Sequence, residues 1–298
     1  MTRGSESDGS GVGLDDGAAA HWRIRHRTLS LSRPLVMGIL NITPDSFFDG
    51  SRIASPEAAL EQGRMMLRDG AHILDVGAAS TRPGAPLVPA AIEMERLRPV
   101  LRILHQELPE AVISADTYWS ETAAMAVEEG AHIINDISAG SFDPAMFETI
   151  ASLQVPYIIM HTKGTPDTMQ QNPEYEDVTR EVVHYFSDKV AQLNRLGVHD
   201  IIIDPGFGFA KTIEHNYRLL QQLDFFRIFN LPVLVGVSRK GMISRVLGTR
   251  PENALNGTTV VNTIALLKGA GILRVHDVKE AVQAIKICKM YQSQSDFH

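Results

Sequence analysis

Apolar runs that end in a polar residue recur along the chain. Four of them follow a glycine and a small residue, and they lie within residues 69–77, 129–137, 196–205 and 269–277. Four further runs lie within residues 34–41, 111–116, 156–161 and 232–238. None of these runs alternates between apolar and polar positions, which is typical of strands buried on both faces of a parallel sheet. The pattern therefore predicts eight parallel strands.

Helical patterns lie between these strands. The first begins with Ser55 as N-cap and Pro56 in the first turn, and it ends at Gly70. Similar patterns lie within residues 120–130, 143–152, 175–197, 214–226, 253–271 and 278–291. This alternation predicts an α/β chain folded as one (β/α)8 TIM barrel over residues 21–298. A doubly wound sheet is the alternative, because alternation alone does not establish closure.

The segment ahead of the first predicted strand has two parts. Residues 1–20 are rich in Gly, Ser and Asp and contain no apolar stretch, which predicts a disordered, flexible tail and not a signal peptide. Residues 22–31 are expected to plug the N-terminal end of the barrel.

Composition and charge narrow the classes of partner. The chain is 44% apolar and 21% charged, as in soluble globular proteins. A net charge of −7 argues against a nucleic-acid partner but leaves an anionic small ligand open. No apolar run reaches the ~20 residues of a membrane span, so no membrane partner is expected. The single cysteine, Cys288, cannot form an intramolecular disulfide, so we expect a cytoplasmic location.

Polar residues close the predicted strands, and in a TIM barrel these strand ends form the active site. One aspartate there could simply cap the next helix, but buried polar groups need partners, and a ring of them is more easily satisfied by a ligand. The ring consists of Asn41, Asp75, Asp116, Asn135, His161, Asp204, Ser238, Arg239, Lys240, Arg274 and His276.

The ring divides by chemistry. Asp116, Asn135 and Asp204 offer acceptors that suit a flat heterocycle with N–H donors. A second group lies on strands near the two chain ends, which become neighbours on closure, and suits an anion such as phosphate. That group is Asn41, Arg82, Lys240, Arg274 and His276. The loops at 41–52 and 80–90 mix Pro, Gly and Ser with functional groups and are predicted to be mobile lids, or else ordinary βα loops.

With these residues in place, the sequence resembles the dihydropteroate synthase family, the folate-pathway enzymes that sulfonamides inhibit. The match runs from Leu35 to about Ile287, and so many motifs in one order are highly specific. They read MGILNITPDSFFDGS, DVGAASTRPGA, ISADT, AHIINDIS, IIMHTKGTP, IIIDPGFGFAK, VGVSRKG and ILRVHDV. The resemblance implies a TIM barrel that joins 6-hydroxymethyl-7,8-dihydropterin diphosphate to 4-aminobenzoate and releases pyrophosphate. It also implies Mg²⁺ and a homodimer formed through the outer helices.

The resemblance implies a role for individual residues. Asp116, Asn135 and Asp204 would bind the aminopyrimidine edge of the pterin, while Lys240 lies near the ring and Met160 lines the pocket. The other implied contacts are Asn41 with Mg²⁺ and the diphosphate; Thr81, Arg82, Arg274 and His276 near the phosphates; and Phe209, Lys240 and the turn Thr81, Arg82, Pro83 at the aminobenzoate. We expect the catalytic residues to be Asp116, Asp204, Lys240 and Asn41.

The chain departs from the family pattern at a few positions. Ala79 replaces a glutamate in the second motif, and Gly241 replaces a serine after the SRK sequence. Ala210 stands where GFGFGK is usual. The first two changes remove polar groups near the lid and aminobenzoate positions, so they bear on sulfonamide sensitivity.

Three other functions remain open. A corrinoid-dependent methyltransferase has a similar pterin-binding barrel but usually needs a cobalamin module, for which this chain has no room. A Schiff-base aldolase would use Lys240 as its nucleophile, and a borohydride trap would detect it. A non-catalytic pterin-binding paralogue is the third, although a mere binder has no need of the residues for the diphosphate.

Overall fold

The computed structural model describes residues 21–24, 27–42, 52–53, 55–79, 84–165 and 173–294. The strands are β1 (His21–Ile24), β2 (Arg27–Ser30), β3 (Leu35–Ile42), β4 (Arg52–Ile53), β5 (Ile73–Gly77), β6 (Val112–Asp116), β7 (Ile133–Asp136), β8 (Tyr157–Met160), β9 (Ile201–Asp204), β10 (Leu234–Val235) and β11 (Ile272–Val275). The α-helices are α1 (Pro56–Asp69), α2 (Ala90–Glu107), α3 (Ser120–Glu128), α4 (Met146–Leu153), α5 (Val178–Arg195), α6 (Ile213–Gln221), α7 (Gly241–Ser244), α8 (Leu255–Leu267) and α9 (Val278–Gln292). The predicted tail, residues 1–20, lies outside this description.

Parallel strands form the barrel in the order β10, β11, β3, β5, β6, β7, β8, β9. The two ends of this series meet, because Ile203 of β9 pairs in parallel with Val233, next to β10. The backbone N–H of Ile203 also donates to the carbonyl of Pro232 at 3.1 Å. This closure confirms the predicted barrel, and the doubly wound alternative was wrong.

The N-terminal end of the barrel is filled by apolar side chains from every barrel strand. Leu29 and Leu31 pack against this layer, which confirms that the segment ahead of β3 plugs the barrel. The layer consists of Leu35, Met37, Ile73, Val112, Ile133, Ile158, Ile202, Leu234 and Ile272. Its burial closes one end of the barrel, so polar ligands have access only from the other end.

The outer helices begin and end largely where the sequence predicts. Ser55 caps α1 by accepting from the backbone N–H of Ala58 at 3.2 Å, and Gly70 ends it with φ 102°. The predicted helix 214–226 is instead α6 followed by a 3-10 helix at Leu223–Phe229. α2 was not among the predicted helices, because Pro99 inside it obscures the pattern. No helix in the described parts of the chain is long and apolar enough to cross a membrane.

Candidate active site

Side chains two residues beyond the plug face the same interior, because alternate residues of a strand share a face. Four members of the polar ring occupy these positions, namely Asp75, Asn135, Asp204 and Arg274, and Met160 occupies a fifth position of the same kind. One step further along their strands lie Asp116 and, just past β11, His276. The barrel thus places residues that are far apart in sequence around one cavity above an apolar floor.

An ion cluster crosses this interior. Arg274 donates from Nε to Asp75 Oδ2 at 2.6 Å and from Nη2 to Asp116 Oδ2 at 2.7 Å. The side-chain amide of Asn135 donates to the same oxygen of Asp75 at 3.1 Å. Burial opposes the charged form of Arg274, but the two carboxylates raise its pKa above the ordinary value. The guanidinium is therefore a fixed positive charge shared by two acids.

Burial also shifts the two carboxylates expected to be catalytic. It raises the pKa of Asp116 to about 7, although the positive charge of Arg274 acts in the opposite direction. It likewise raises the pKa of Asp204, against the opposing effect of Lys240. Such shifts are concentrated at functional sites, where charged groups are held out of water.

The loop after β9 is a rigid turn. Asp204 accepts at Oδ1 from the backbone N–H of Gly206 at 2.8 Å. Gly206 has φ 74°, and a Cβ there would lie 2.0 Å from the carbonyl oxygen of His161, so only glycine fits. Below the turn, the ammonium of Lys211 donates to the carbonyls of Gly206 and Phe209, both at 3.0 Å.

Lys240 reaches this turn from the loop after β10. Its Nζ donates to the carbonyl of Phe207 at 2.5 Å and lies 4.6 Å from the ring centroid of Phe209. Burial lowers the pKa of Lys240 to about 8. The preceding residue, Arg239, has φ 57° and binds Asp277 through two nitrogens at 2.9 and 2.6 Å. That bidentate contact fixes the backbone that carries Lys240, so the role of Arg239 is structural.

The predicted site residues that the structure describes lie in three parts of the barrel. Asp116, Asn135, Met160, Asp204 and Arg274 surround the deep cavity. Phe209, Lys240 and His276 lie at its rim, and the ring of His276 contacts Ser238 Oγ at 3.1 Å. Asn41 is half-buried at the end of β3, where its backbone pairs with Gly77. The predicted residues Thr81, Arg82 and Pro83, and most of the first lid, lie outside the described residues.

Two buried groups escaped the sequence analysis. Lys211 lies in the IIIDPGFGFAK motif, but the motif does not predict its partners. Glu93 on α2 is fully buried and accepts a short hydrogen bond of 2.5 Å from Thr117 Oγ1, directly after Asp116. Glu93 had no visible signal because α2 itself was not recognised.

Glu93 is expected to make stability depend on pH. Burial raises its pKa from 4.5 to about 7, so between these values the native state binds more protons than the unfolded state. Raising the pH over that range then lowers the free energy of unfolding. Glu93→Gln should remove about 2–3 kcal/mol of this decline between pH 5 and pH 7.5, at ~1.4 kcal/mol per pKa unit. Urea unfolding of the wild-type protein and of Glu93→Gln at pH 5 and pH 7.5 measures the difference. Identical declines in the two proteins would contradict a raised pKa for Glu93.

The closed barrel and its mouth of buried, oppositely charged groups define an enzyme of the TIM-barrel class that takes a small polar ligand. The family model described as "pterin binding enzyme" matches residues 37–276. The dihydropteroate synthase of Escherichia coli K12 is 45% identical over 262 residues, which cover 87% of this chain and 92% of that protein. The chain therefore belongs to the pterin-binding enzymes, among the dihydropteroate synthases.

Solved structures agree with this family. The dihydropteroate synthase of Yersinia pestis in complex with a sulfonamide drug matches with a TM-score of 0.88 and 39% identity, over 92% of this chain and all of that one (100%). The enzyme of Xanthomonas albilineans with 4-aminobenzoic acid matches with a TM-score of 0.85 and 37% identity, over 92% and 98% of the two chains. The resemblance drawn from the motifs is confirmed.

Proposed function

We propose that the chain condenses 6-hydroxymethyl-7,8-dihydropterin diphosphate with 4-aminobenzoate to give 7,8-dihydropteroate and pyrophosphate. The observation that carries this proposal is the pairing of buried and partly buried acids with partly buried cations at one end of the barrel. Asp116 and Asp204 lie beside Arg274 and Lys240. A ligand with a donor-rich ring and an anionic tail satisfies both sets, which no purely apolar or purely anionic ligand does.

The first step is binding of the pterin in the deep cavity. Asp204, Asn135 and Asp116 supply carboxylate and amide oxygens for the N–H groups of the aminopyrimidine edge, and Met160 supplies an apolar wall. Because these groups are buried, each hydrogen bond is stronger than it would be in water. The pterin is thereby held with its methylene carbon towards the rim.

The second step breaks the bond between the methylene carbon and the diphosphate oxygen. The electron pair of that bond goes to the departing pyrophosphate, whose negative charge is stabilised by Arg274, Lys240 and His276. Positive charge develops on the pterin, and the ionised acids Asp116 and Asp204 stabilise it. The amine nitrogen of 4-aminobenzoate then bonds to the methylene carbon and loses a proton. The reaction requires no nucleophile from the enzyme.

A magnesium ion fits the rim if substrate phosphates and water complete its coordination. In the described part of the chain, His, Cys, Asp and Glu side chains form no group of three that could hold a metal. Mg²⁺ commonly binds through one or two protein oxygens together with substrate phosphates and water. Asn41, half-buried at the end of β3, offers such an oxygen. We propose that Asn41 and the diphosphate would hold Mg²⁺, which when bound would neutralise charge on the leaving group.

The proposed reaction is tested by following both products. Purified protein, Mg²⁺, the pterin diphosphate and 4-aminobenzoate should give equal amounts of dihydropteroate and pyrophosphate, and EDTA should abolish both. Binding of the pterin diphosphate without turnover would favour the non-catalytic paralogue. Absence of binding would overturn the proposed function.

We also propose that the chain forms a homodimer in which a second copy packs against α8 and α9. These neighbouring outer helices expose large apolar side chains, among them Ile287 at 69% and Met290 at 66%. A groove of about 470 Å³ runs between them, lined in part by Leu255, Ala284 and Ile287. Large apolar side chains exposed on two neighbouring helices favour an interaction surface.

Ile287→Glu combined with Ile264→Glu should convert a dimer into a monomer, because two charges would be buried on each side of the interface. Light scattering coupled to gel filtration measures the mass. Ile92→Glu, on the exposed face of α2, is the matched control and should leave the mass unchanged. A wild-type protein that is monomeric at high concentration would contradict the proposal.

We further propose that the protein acts in the cytoplasm. Its single cysteine, Cys288, is a buried free thiol on α9. Free thiols are typical of reducing compartments. Cell fractionation with an antibody to the chain tests the location.

A further inference from the structure

Asp75 carries contacts that no role so far accounts for. It lies in β5 with its side chain fully buried, and one oxygen, Oδ2, accepts from both Arg274 and Asn135. Both of these partners belong to the proposed ligand-binding set, whereas Asp75 was only one member of the polar ring. A single carboxylate oxygen therefore connects two binding groups.

The strand order shows that Asp75 contacts side chains on strands that are not its neighbours in the sheet. β11, which carries Arg274, is separated from β5 by β3, and β7, which carries Asn135, is separated from β5 by β6. Asp75 thus reaches two strands away in each direction around the barrel. Its contacts fix the relative positions of side chains that backbone pairing does not hold directly.

The cost of burying this acid argues against a purely structural role. The second oxygen, Oδ1, is buried and has no hydrogen-bond partner among the described residues. A buried carboxylate with an unsatisfied oxygen is destabilising, and apolar side chains of similar volume are often more favourable. What the acid supplies in return is a negative charge beside Arg274.

That charge matters because Arg274 faces two acids. If the pterin engages Asp116, as the proposed function requires, the guanidinium loses part of its contact with that residue. Asp75 remains as its second acid, at 2.6 Å from Nε. Without Asp75, Arg274 would be left to pair with Asp116 alone, and the ligand would have to compete with it.

We propose that Asp75 is a positioning residue for the reaction, which retains Arg274 and Asn135 in place and so keeps Asp116 available to the pterin. This inference rests on the proposed function. In this proposal Asp75 acts through its two partners, Arg274 and Asn135, and not on the reacting atoms.

The first test is Asp75→Asn, with Ser114→Ala as the matched control. Ser114 is the buried neighbour of Asp75 on β6, and its hydroxyl has no hydrogen-bond partner among the described residues. We expect the affinity for the pterin diphosphate, measured by calorimetry, to fall at least tenfold in Asp75→Asn and less than twofold in the control. Equal losses in the two variants would overturn the proposal.

The pH profile separates positioning from mere packing. Asp75 raises the pKa of Asp116 by charge repulsion and also shares its counter-ion. Removing the charge should therefore move the acidic inflection of kcat/KM to lower pH in Asp75→Asn. An unchanged inflection together with reduced activity would indicate a structural defect and overturn the proposal.

A double-mutant cycle tests the route of the effect. If Asp75 acts mainly through Arg274, Asp75→Asn should reduce kcat/KM at least tenfold in the wild-type background and less than threefold in Arg274→Ala. Full additivity would overturn this route. A wild-type protein that makes no dihydropteroate would instead contradict the proposed function, so the two failures are distinguishable.

The wild-type protein provides a test that does not depend on a variant's folding. The ¹⁵N resonance of Arg274 Nε–H should indicate a strong hydrogen bond both in the free protein and in its complex with the pterin diphosphate. Loss of this bond on binding would overturn the proposal.

Discussion

Replacing Asp116 by asparagine is expected to lower kcat about 10²–10³-fold, the usual effect of removing one group that stabilises transition-state charge. The carboxylate is one of the two that pair with Arg274, at 2.7 Å. In the proposed reaction it stabilises a pterin that becomes positive as the C–O bond breaks. Asparagine keeps the shape but removes that charge, so the loss falls on turnover. Pyrophosphate affinity should change less than about threefold, well under 1 kcal/mol.

The pH dependence of kcat/KM tests whether the ionised form of Asp116 is the active one. Burial raises the pKa of Asp116 to about 7, and the ionised form is the one the reaction needs. In the wild-type protein, kcat/KM should therefore rise as the pH increases through 7 and level off above it. The residual activity of Asp116→Asn should lose the part of this rise that comes from Asp116, while any part due to Asp204, whose pKa burial also raises, remains. Initial rates from pH 5.5 to pH 9 measure both curves.

The control for Asp116→Asn is a carboxylate on the surface. Asp188 on α5 is exposed, so Asp188→Asn makes the same change in net charge away from the cavity. It should leave kcat and the pH profile unchanged. Equal losses of turnover and pyrophosphate affinity in Asp116→Asn would contradict a role in transition-state charge, because they would indicate a collapsed cavity.

Much of the barrel follows from one property of the sequence. Runs such as residues 201–203 are apolar without alternation, and only a strand covered on both faces accommodates them. Closure could not be derived in this way, because a doubly wound sheet has the same alternation of strands and helices. It depends on the pairing of Ile203 with Val233, a tertiary contact with no local signal.

For the candidate site, the sequence predicts where the residues lie but not which of them contact one another. Asp116, Asn135 and Asp204 end strands, and parallel strands bring their carboxyl ends to one rim. Which groups contact one another was not predictable: Arg274 and Asp75 are 199 positions apart, and the rotamer of a long side chain decides their contact. The motif resemblance implies phosphates for Arg274, and it gives no sign of the two acids, Asp75 and Asp116, that are its protein partners.

Departures from the family pattern have different structural consequences. Ala210 has φ 47°, a left-handed conformation that costs a non-glycine residue roughly 1 kcal/mol or more. Its carbonyl accepts from the hydroxyl of Tyr175 at 2.9 Å, which helps to hold that conformation. Gly241 leaves ordinary contact distances around a Cβ, the nearest atom being Arg245 Nε at 3.5 Å, so a serine would fit there.

The second large effect is expected at Lys211, which organises the turn above Asp204. Its side chain is 3% exposed, and its ammonium lies 3.0 Å from the carbonyl oxygens of Gly206 and Phe209 and from Nδ1 of His161. Lys211→Met keeps the volume but leaves the carbonyl of Phe209 and Nδ1 of His161 without this donor, whereas the carbonyl of Gly206 still accepts from the backbone N–H of Phe209 at 3.1 Å. Since each unsatisfied acceptor costs about 1–3 kcal/mol, the free energy of unfolding should fall by roughly 2–5 kcal/mol.

The same change should alter function at the rim. Phe209, whose carbonyl Lys211 holds, carries the ring proposed to pack on 4-aminobenzoate. We expect the KM for 4-aminobenzoate to rise about tenfold or more, equivalent to ~1.4 kcal/mol of lost contact. Steady-state rates at saturating pterin diphosphate measure it. Lys279→Met, on the exposed side of α9, is the control and should leave KM and stability unchanged.

Lys211 also makes a prediction about pH that distinguishes a buried charge from a simple packing residue. Burial lowers its pKa from 10.5 to about 7, so between these values the unfolded state binds more protons than the native state. The free energy of unfolding should therefore rise with pH from 7 towards 10 in the wild-type protein. Lys240, with a pKa lowered to about 8, contributes in the same direction. The difference between wild type and Lys211→Met isolates the part due to Lys211, and parallel curves would mean that Lys211 keeps an ordinary pKa in the folded protein.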